Sequence, residues 1–518
     1  MHALKVLPII CLFFILMVCG ERAVGQALDG QNPVVNIENG PVIGKIAGDS
    51  MVFQGIPYAQ PPVKALRWRP PQQMTAWQEA LDATSPSPAC PQTSHQDLTD
   101  ENCLTLNVYK PNSNNIVSLP VLVWIHGGGY RSGTGAYYSS RKMRNSDEQI
   151  DATLWNRDGV ILVTLNYRIG ALGFFAHSAL DASEGANYGL MDIVAGLRWV
   201  HRNIKYFGGD KRRVTIMGGS AGGHAVQSLM VMPQAKGLFS AAISQSGYGT
   251  TALPRTKSVV PLAGSPSAED VSATILARAM GETVDSITAE TLRTITANNL
   301  VNGLDGYHYP IVDGITLPEE PGILFSQGRQ YAVPYMSGGN SFDGHSYDGD
   351  EGLPPASLLE QTHPHTADIR VLYDIEGQAA YQPEVRQLFG DFRYVLAARY
   401  TSQQMALVNQ PGYLYLLSYV PPTHRHHWRG TPHSWQKRPL FRANNIPIIN
   451  AMRQYIINLV KTGNPNGPNL PQWPMVTNTN TAWMQFDEQP VVGYKLWHKK
   501  LDMLQSAYES RILPLVQQ

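Results

Sequence analysis

Short apolar runs recur along the chain, and between several of them the apolar positions fall every third or fourth residue. Residues 119–125, 160–167 and 214–217 are nearly continuous in Val, Leu, Ile and other large apolar residues, and 241–246 repeats the pattern more weakly. Runs of this kind are expected of strands buried on both faces. Between them, Leu190, Ile193, Val194, Leu197, Val200 and Ile204 occupy one helical face. That helix stops at Gly208-Gly209, a C-cap signal. Strands alternating with helices predict an α/β fold: a mostly parallel central sheet with helices on both faces.

The flanks complete the outline. Residues 34–53 alternate apolar segments with Gly and Asn and predict small antiparallel strands. From 53 to 71 the prolines predict an ordered surface wrap with no regular element. A strand is expected at 104–109. Residues 252–266, rich in Pro, Gly and Ser, read as a connector to an amphipathic helix at 267–280, where Ser267 and Asp270 have capping-box spacing. This helix opens a helical insertion that runs to about residue 330. Further strands are expected at 333–338 and 413–420, and closing helices at 448–461 and 501–512. A loop after residue 420 carries His424, His426, His427 and His433.

Composition narrows the function. With 43% hydrophobic and 15% charged residues the chain is folded and globular rather than disordered. Forty basic residues balance forty acidic ones, which argues against nucleic acid or an anionic membrane surface as partner. His2 and Lys5 precede an apolar run at 6–18 that is short for a membrane span, and Ala23-Val24-Gly25 fits a cleavage site. Residues 1–25 therefore read as a signal peptide, with a second cleavage possibility at Val18-Cys19-Gly20 and a poor lipoprotein box at 16–19. Residues 26–518 read as a single catalytic domain, secreted or periplasmic, with no further span. Cys11 and Cys19 leave with the signal. Cys90 and Cys103 remain, and in an exported chain they are expected to pair. No Asn-x-Ser/Thr sequon occurs, so N-glycosylation is not expected.

The candidate chemistry centres on Gly218-Gly219-Ser220-Ala221-Gly222, between the strand at 214–217 and a helix-compatible segment at 224–232. A sharp strand-to-helix turn leaves no space for side chains two residues before and after its apex, and it would present Ser220 Oγ on a tip. The N–H of Ala221 and the helix N-terminus behind it suit a developing oxyanion. Earlier, His126-Gly127-Gly128-Gly129 follows an apolar strand, where glycines let backbone N–H groups approach a ligand. A serine hydroxyl needs a neighbouring imidazole to take its proton, and the imidazole needs a carboxylate to hold its tautomer. His433 follows a strand on a turn preceded by Pro432. Asp343, with Asp348, Asp350 or Glu351 as alternatives, follows another. His424, His426 and His427 lack matching acidic or cysteine ligands and read as solvated loop residues, so no metal is expected.

Longer stretches carry a family resemblance over essentially the whole mature chain. They include Phe53-x-Gly55-Ile56-Pro57-Tyr58-Ala59, Asp100-Glu101-Asn102-Cys103-Leu104, Asn166-Tyr167-Arg168, Asn187-Tyr188-Gly189-Leu190-x-Asp192, Phe207-Gly208-Gly209-Asp210, Ser244-Gln245-Ser246-Gly247 and Lys461-Thr462-Gly463-Asn464-Pro465-Asn466. With the two glycine motifs, the chain resembles the type-B carboxylesterase/cholinesterase family of α/β-hydrolases. The resemblance implies Ser220 as nucleophile, Asp343 as acid, His433 as base, and Gly128, Gly129 and Ala221 as oxyanion donors, with no cofactor. Asp343 stands where the family usually has Glu, as in the bile-salt-activated lipase branch. Ser246 reads as a structural core residue. Gly219 stands where the family usually has Glu, which would loosen the elbow or leave room for water. The second cysteine pair of the cholinesterases is missing at Met280-Gly281-Glu282. The Cys90–Cys103 loop contains no Trp, Tyr or Phe to hold a quaternary ammonium, so a choline ester is not the expected substrate. The expectation is a serine esterase for small to medium apolar esters. Long-chain lipid hydrolysis and a non-catalytic, adhesion-type role are the alternatives, and the oligomeric state is open.

Overall fold

The computed structural model describes residues 32–113, 118–181, 183–256, 266–281, 287–304, 308–349, 353–376, 381–477 and 480–516. The proposed signal peptide, Asp350, Glu351 and much of the 252–266 connector lie outside them. Fourteen strands are found among the described residues: β1 Val34–Ile37, β2 Gly40–Ile43, β3 Lys45–Ala47, β4 Ser50–Pro57, β5 Leu81–Asp82, β6 Thr105–Pro111, β7 Leu119–Ile125, β8 Ile161–Leu165, β9 Gly209–Gly219, β10 Ala241–Gln245, β11 Tyr335–Asn340, β12 Gly412–Leu417, β13 Ala482–Phe486 and β14 Pro490–Tyr494. The small sheet is ordered β1-β2-β5, and the large one β14-β13-β12-β11-β10-β9-β7-β8-β6-β4-β3. Seven consecutive strands, from β8 to β13, pair in parallel, while β14 at one edge and β6, β4 and β3 at the other are antiparallel. The strand order doubles back at β8-β7-β9, the kind of switch beside which open α/β sheets bind ligands.

The apolar runs are continuous because the sheet is covered twice. Val121, Val123 and Ile125 of β7 join a core with the helix Tyr188–Asn203 through Leu190, Ile193, Val194 and Leu197. Leu122 and Trp124 point the other way, into a second core with Ile449, Met452 and Ile456 of the helix Pro447–Thr462. The first of these helices passes through a short 3-10 turn and ends on Gly208, at φ +85°.

Two expectations change. The wrap at 53–71 is partly sheet: β4 runs through Phe53 to Pro57, since a pairing irregularity between Phe53 and Ile56 lets the strand continue against β6. Trp68 is not at the surface. It is 1% exposed, stacks on Phe175 at 4.6 Å and packs with Ile275, Leu276 and Leu292 of the helical insertion. The insertion itself is helical as expected, and its first helix, Ala268–Met280, has the Ser267/Asp270 capping box. The β13–β14 hairpin and the helices between 355 and 404 were not anticipated.

The pairing of Arg168 with Asp192 explains why two of the recognisable stretches occur together. Arg168 Nε and Nη2 each donate to an Asp192 carboxylate oxygen at 2.7 Å, and the Arg168 backbone N–H donates at 3.0 Å. Both side chains are buried. Removing one partner leaves a charge buried and uncompensated. Asp192→Ala is therefore expected to lower stability by about 3–5 kcal/mol, read as a shift in the urea unfolding midpoint; an unchanged midpoint would show that the pair does not tie these segments.

Candidate active site

Each chemically interesting residue sits just beyond the carboxyl end of a parallel strand. The glycine turn follows β7, Ser220 follows β9, Ser246 follows β10, Asp343 follows β11 and His433 lies on the loop after β12. Ser220 has φ +59° and ψ −123°, and the helix Ala221–Leu229 starts at the next residue. A non-glycine residue in that region is strained and persists only when its surroundings enforce it. Here they do, by close backbone approach. A Cβ at Gly218 would meet Gly222 O at 2.2 Å, and one at Gly222 would meet Ile125 O at 2.1 Å. The Ser220 N–H donates to Gln245 O at 2.8 Å, which ties the apex to β10.

The turn after β7 faces the same point. Gly128 and Gly129 have φ +116° and +62°. Among the described residues, the N–H groups of Gly128, Gly129 and Ala221 donate to no protein acceptor. Three unengaged amides beside a serine hydroxyl suit an oxygen that gains negative charge.

Asp343 Oδ1 and His433 Nδ1 are 2.7 Å apart. Asp343 Oδ2 accepts from Ser246 Oγ and from the Asn340 N–H, both at 2.8 Å. The carboxylate is thus buried and engaged at both oxygens, whereas Asp348 lies exposed. His433 stacks on Tyr394 at 4.6 Å, and its backbone N–H donates to His345 Nδ1 at 3.0 Å. Asn340 Nδ2 donates to Pro432 O at 2.6 Å and so clamps the histidine loop to the acid's strand. Ser220 and His433 line one cavity of about 470 Å³. Their side chains share no hydrogen bond in this structure; such contacts are commonly long before substrate binds.

Ser246 differs from the reading as a plain core residue: its hydroxyl touches the candidate acid. The available signal was its place at a strand's carboxyl end next to the nucleophile strand. His345 and Tyr394 orient His433; His345 stands two residues after Asp343, in the Asp-Gly-His stretch that resembles the bile-salt-activated lipase branch, whereas Tyr394 carried no signal. Gly219 keeps its ladder partner Gln245, so the elbow is intact there. A Cβ at Gly219 would meet nothing closer than Trp124 at 3.4 Å, and the space that a side chain would fill belongs to the cavity. Cys90 and Cys103 are joined in a disulfide. His426 and His427 are exposed.

A family model described as the carboxylesterase family matches residues 31–504. The chain belongs to that family. Pyrethroid hydrolase Ces2a of Mus musculus is 29% identical, over 96% of each chain. Para-nitrobenzyl esterase of Bacillus subtilis is 34% identical over 61% of this chain and 63% of the relative. Among solved structures, a PNB esterase superposes with a TM-score of 0.78 at 25% identity, covering 91% of this chain and 99% of that one. The protein is a carboxylic-ester hydrolase on an α/β-hydrolase fold.

Two measurements test this description of the esterase. Ser246→Ala removes a hydroxyl from a buried carboxylate, an interaction typically worth about 1.5–3 kcal/mol. It is expected to lower kcat/KM for an ester about tenfold or more, and full activity would show that Ser246 only packs. Burial pushes His126, His224 and His308 down to about 4, 3 and 4, with the nearby Lys437 and Arg393 cations acting in the same direction on the first two. Between pH 6.5 and 4 the unfolded chain protonates these imidazoles and the folded one does not. Stability is then complete above pH 6.5 and falls with decreasing pH, by up to about 1.4 kcal/mol per pH unit for each group. Urea midpoints at pH 7.5 and 5 are expected to differ accordingly; equal midpoints would show that the three are not held neutral.

Proposed function

We propose that this carboxylesterase works through an acyl-enzyme on Ser220. His433 takes the Ser220 proton as Oγ bonds to the ester carbonyl carbon. The carbonyl oxygen, now negative, is received by the N–H groups of Gly128, Gly129 and Ala221. His433 returns the proton to the alcohol oxygen as the C–O bond breaks, and Asp343 stabilises the imidazolium between the two transfers. Water then repeats the sequence on the acyl-serine and releases the acid. The observation that carries this reading is the strained serine apex beside three unengaged backbone amides, in one cavity with the histidine of a buried Asp–His pair.

A cavity of about 470 Å³ suits esters of small to medium size. We take residues 26–518 as one catalytic unit. Export is supported by the leader-like sequence at 1–25 and agrees with a Cys90–Cys103 disulfide, which persists in oxidising compartments.

Ser220→Ala is expected to reduce hydrolysis of p-nitrophenyl esters by about 10⁴-fold or more while leaving the circular-dichroism spectrum unchanged. A serine-reactive organophosphate is expected to label Ser220. Retained turnover in the variant would overturn the assignment, and a chain-length series from acetate to palmitate peaking at palmitate would favour a lipase instead.

A further inference from the structure

The cavity around Ser220 is electrostatically one-sided. Among the described residues, no Asp or Glu lines it, while Lys437, Arg131 and Arg141 do. Lys437 is the deepest of the three: Arg131 and Arg141 are exposed, Lys437 only partly so. It opens the short helix Lys437–Phe441, four residues after His433, and it is near enough to His126, at the base of the glycine turn, to act on that imidazole's charge. Its ammonium has no ion-pair or hydrogen-bond partner among the described residues. The neighbouring acid, Glu148, favours its charge only in part: Glu148 Oε1 lies 3.4 Å from Lys142 Nζ and 3.6 Å from Arg438 Nη2, so two other cations share it. Burial lowers Lys437 to about 8, which still leaves most of it charged at neutral pH. A cation that is partly stripped of water, and whose one neighbouring acid is shared with two other cations, gains from an anion brought beside it. Trp124, Tyr138 and Phe441 supply apolar wall for the rest of a substrate.

We propose that the ester this cavity takes carries a free carboxylate on its acyl or alcohol part, and that Lys437 binds that carboxylate. The proposal rests on the serine-esterase reading above. It replaces the wholly apolar ester expected from the sequence with an ester of apolar body and one anionic end. Gly219, without a side chain, leaves the wall of the cavity beside Ser220 open and uncharged, so nothing on that wall repels such an anion.

The test compares kcat/KM for two matched pairs. Monoethyl adipate against ethyl hexanoate places the carboxylate on the acyl part, and 4-acetoxybenzoate against phenyl acetate places it on the alcohol part. At least one carboxylate ester is expected to be preferred about tenfold by the native enzyme, with the preference weakening as salt is raised. Lys437→Gln is expected to lower that ratio about 10- to 100-fold, and Lys437→Arg to restore much of it. Equal or better hydrolysis of both neutral esters by the native enzyme would overturn the proposal, and this outcome needs no variant to fold. An unchanged ratio in a folded Lys437→Gln would overturn it too. Failure to hydrolyse any of the four esters would instead overturn the esterase reading, and this proposal with it.

Discussion

The structure depends on a backbone-to-backbone contact between two turns. The turn after β7 and the elbow after β9 are so close that a Cβ at Gly127 would stand 2.4 Å from Gly219 O and one at Gly222 2.1 Å from Ile125 O, while within the elbow a Cβ at Gly218 would stand 2.2 Å from Gly222 O. Hard-sphere repulsion makes this approach possible only without side chains. The approach forces Ser220 into its strained conformation, and it sets the amides of Gly128, Gly129 and Ala221 around one point. The parallel pairing of β7 with β9 supplies the rigid frame against which that strain is held.

Burial then decides the charges. Asp343 is surrounded by donors from three separate segments, Asn340, Ser246 and His433, so its position is set by the sheet rather than by its own loop. His126 and His345 are held neutral near the cavity because burial disfavours their charged forms. Lys437 is under the same desolvation penalty but remains charged, and with Arg131 and Arg141 it gives the cavity its sign.

The legibility of the chain follows range of interaction. The helix Tyr188–Asn203, its Gly208 stop and the Ser267 cap were readable because periodicity and capping are local. The β13–β14 hairpin was not: Ala482–Phe486 is a short run whose only distinguishing feature is its pairing with β12. Pro57 likewise suggested an irregular wrap, although β4 absorbs it at its last residue. Trp68 lies amid prolines, and only the helical insertion folding back on it makes it core.

The sequence by itself determined the strand-to-helix elbow, the glycine turn, the order in which serine, aspartate and histidine arrive, and the family. All of these are written in short ordered stretches whose glycines and caps act within a few residues. Tertiary structure alone decided which carboxylate meets His433, that Ser246 touches that carboxylate, and that Lys437 lines the same cavity as Ser220. Those relations join residues about a hundred positions apart or more in most cases, and they exist only once the sheet aligns the carboxyl ends of its strands along one edge.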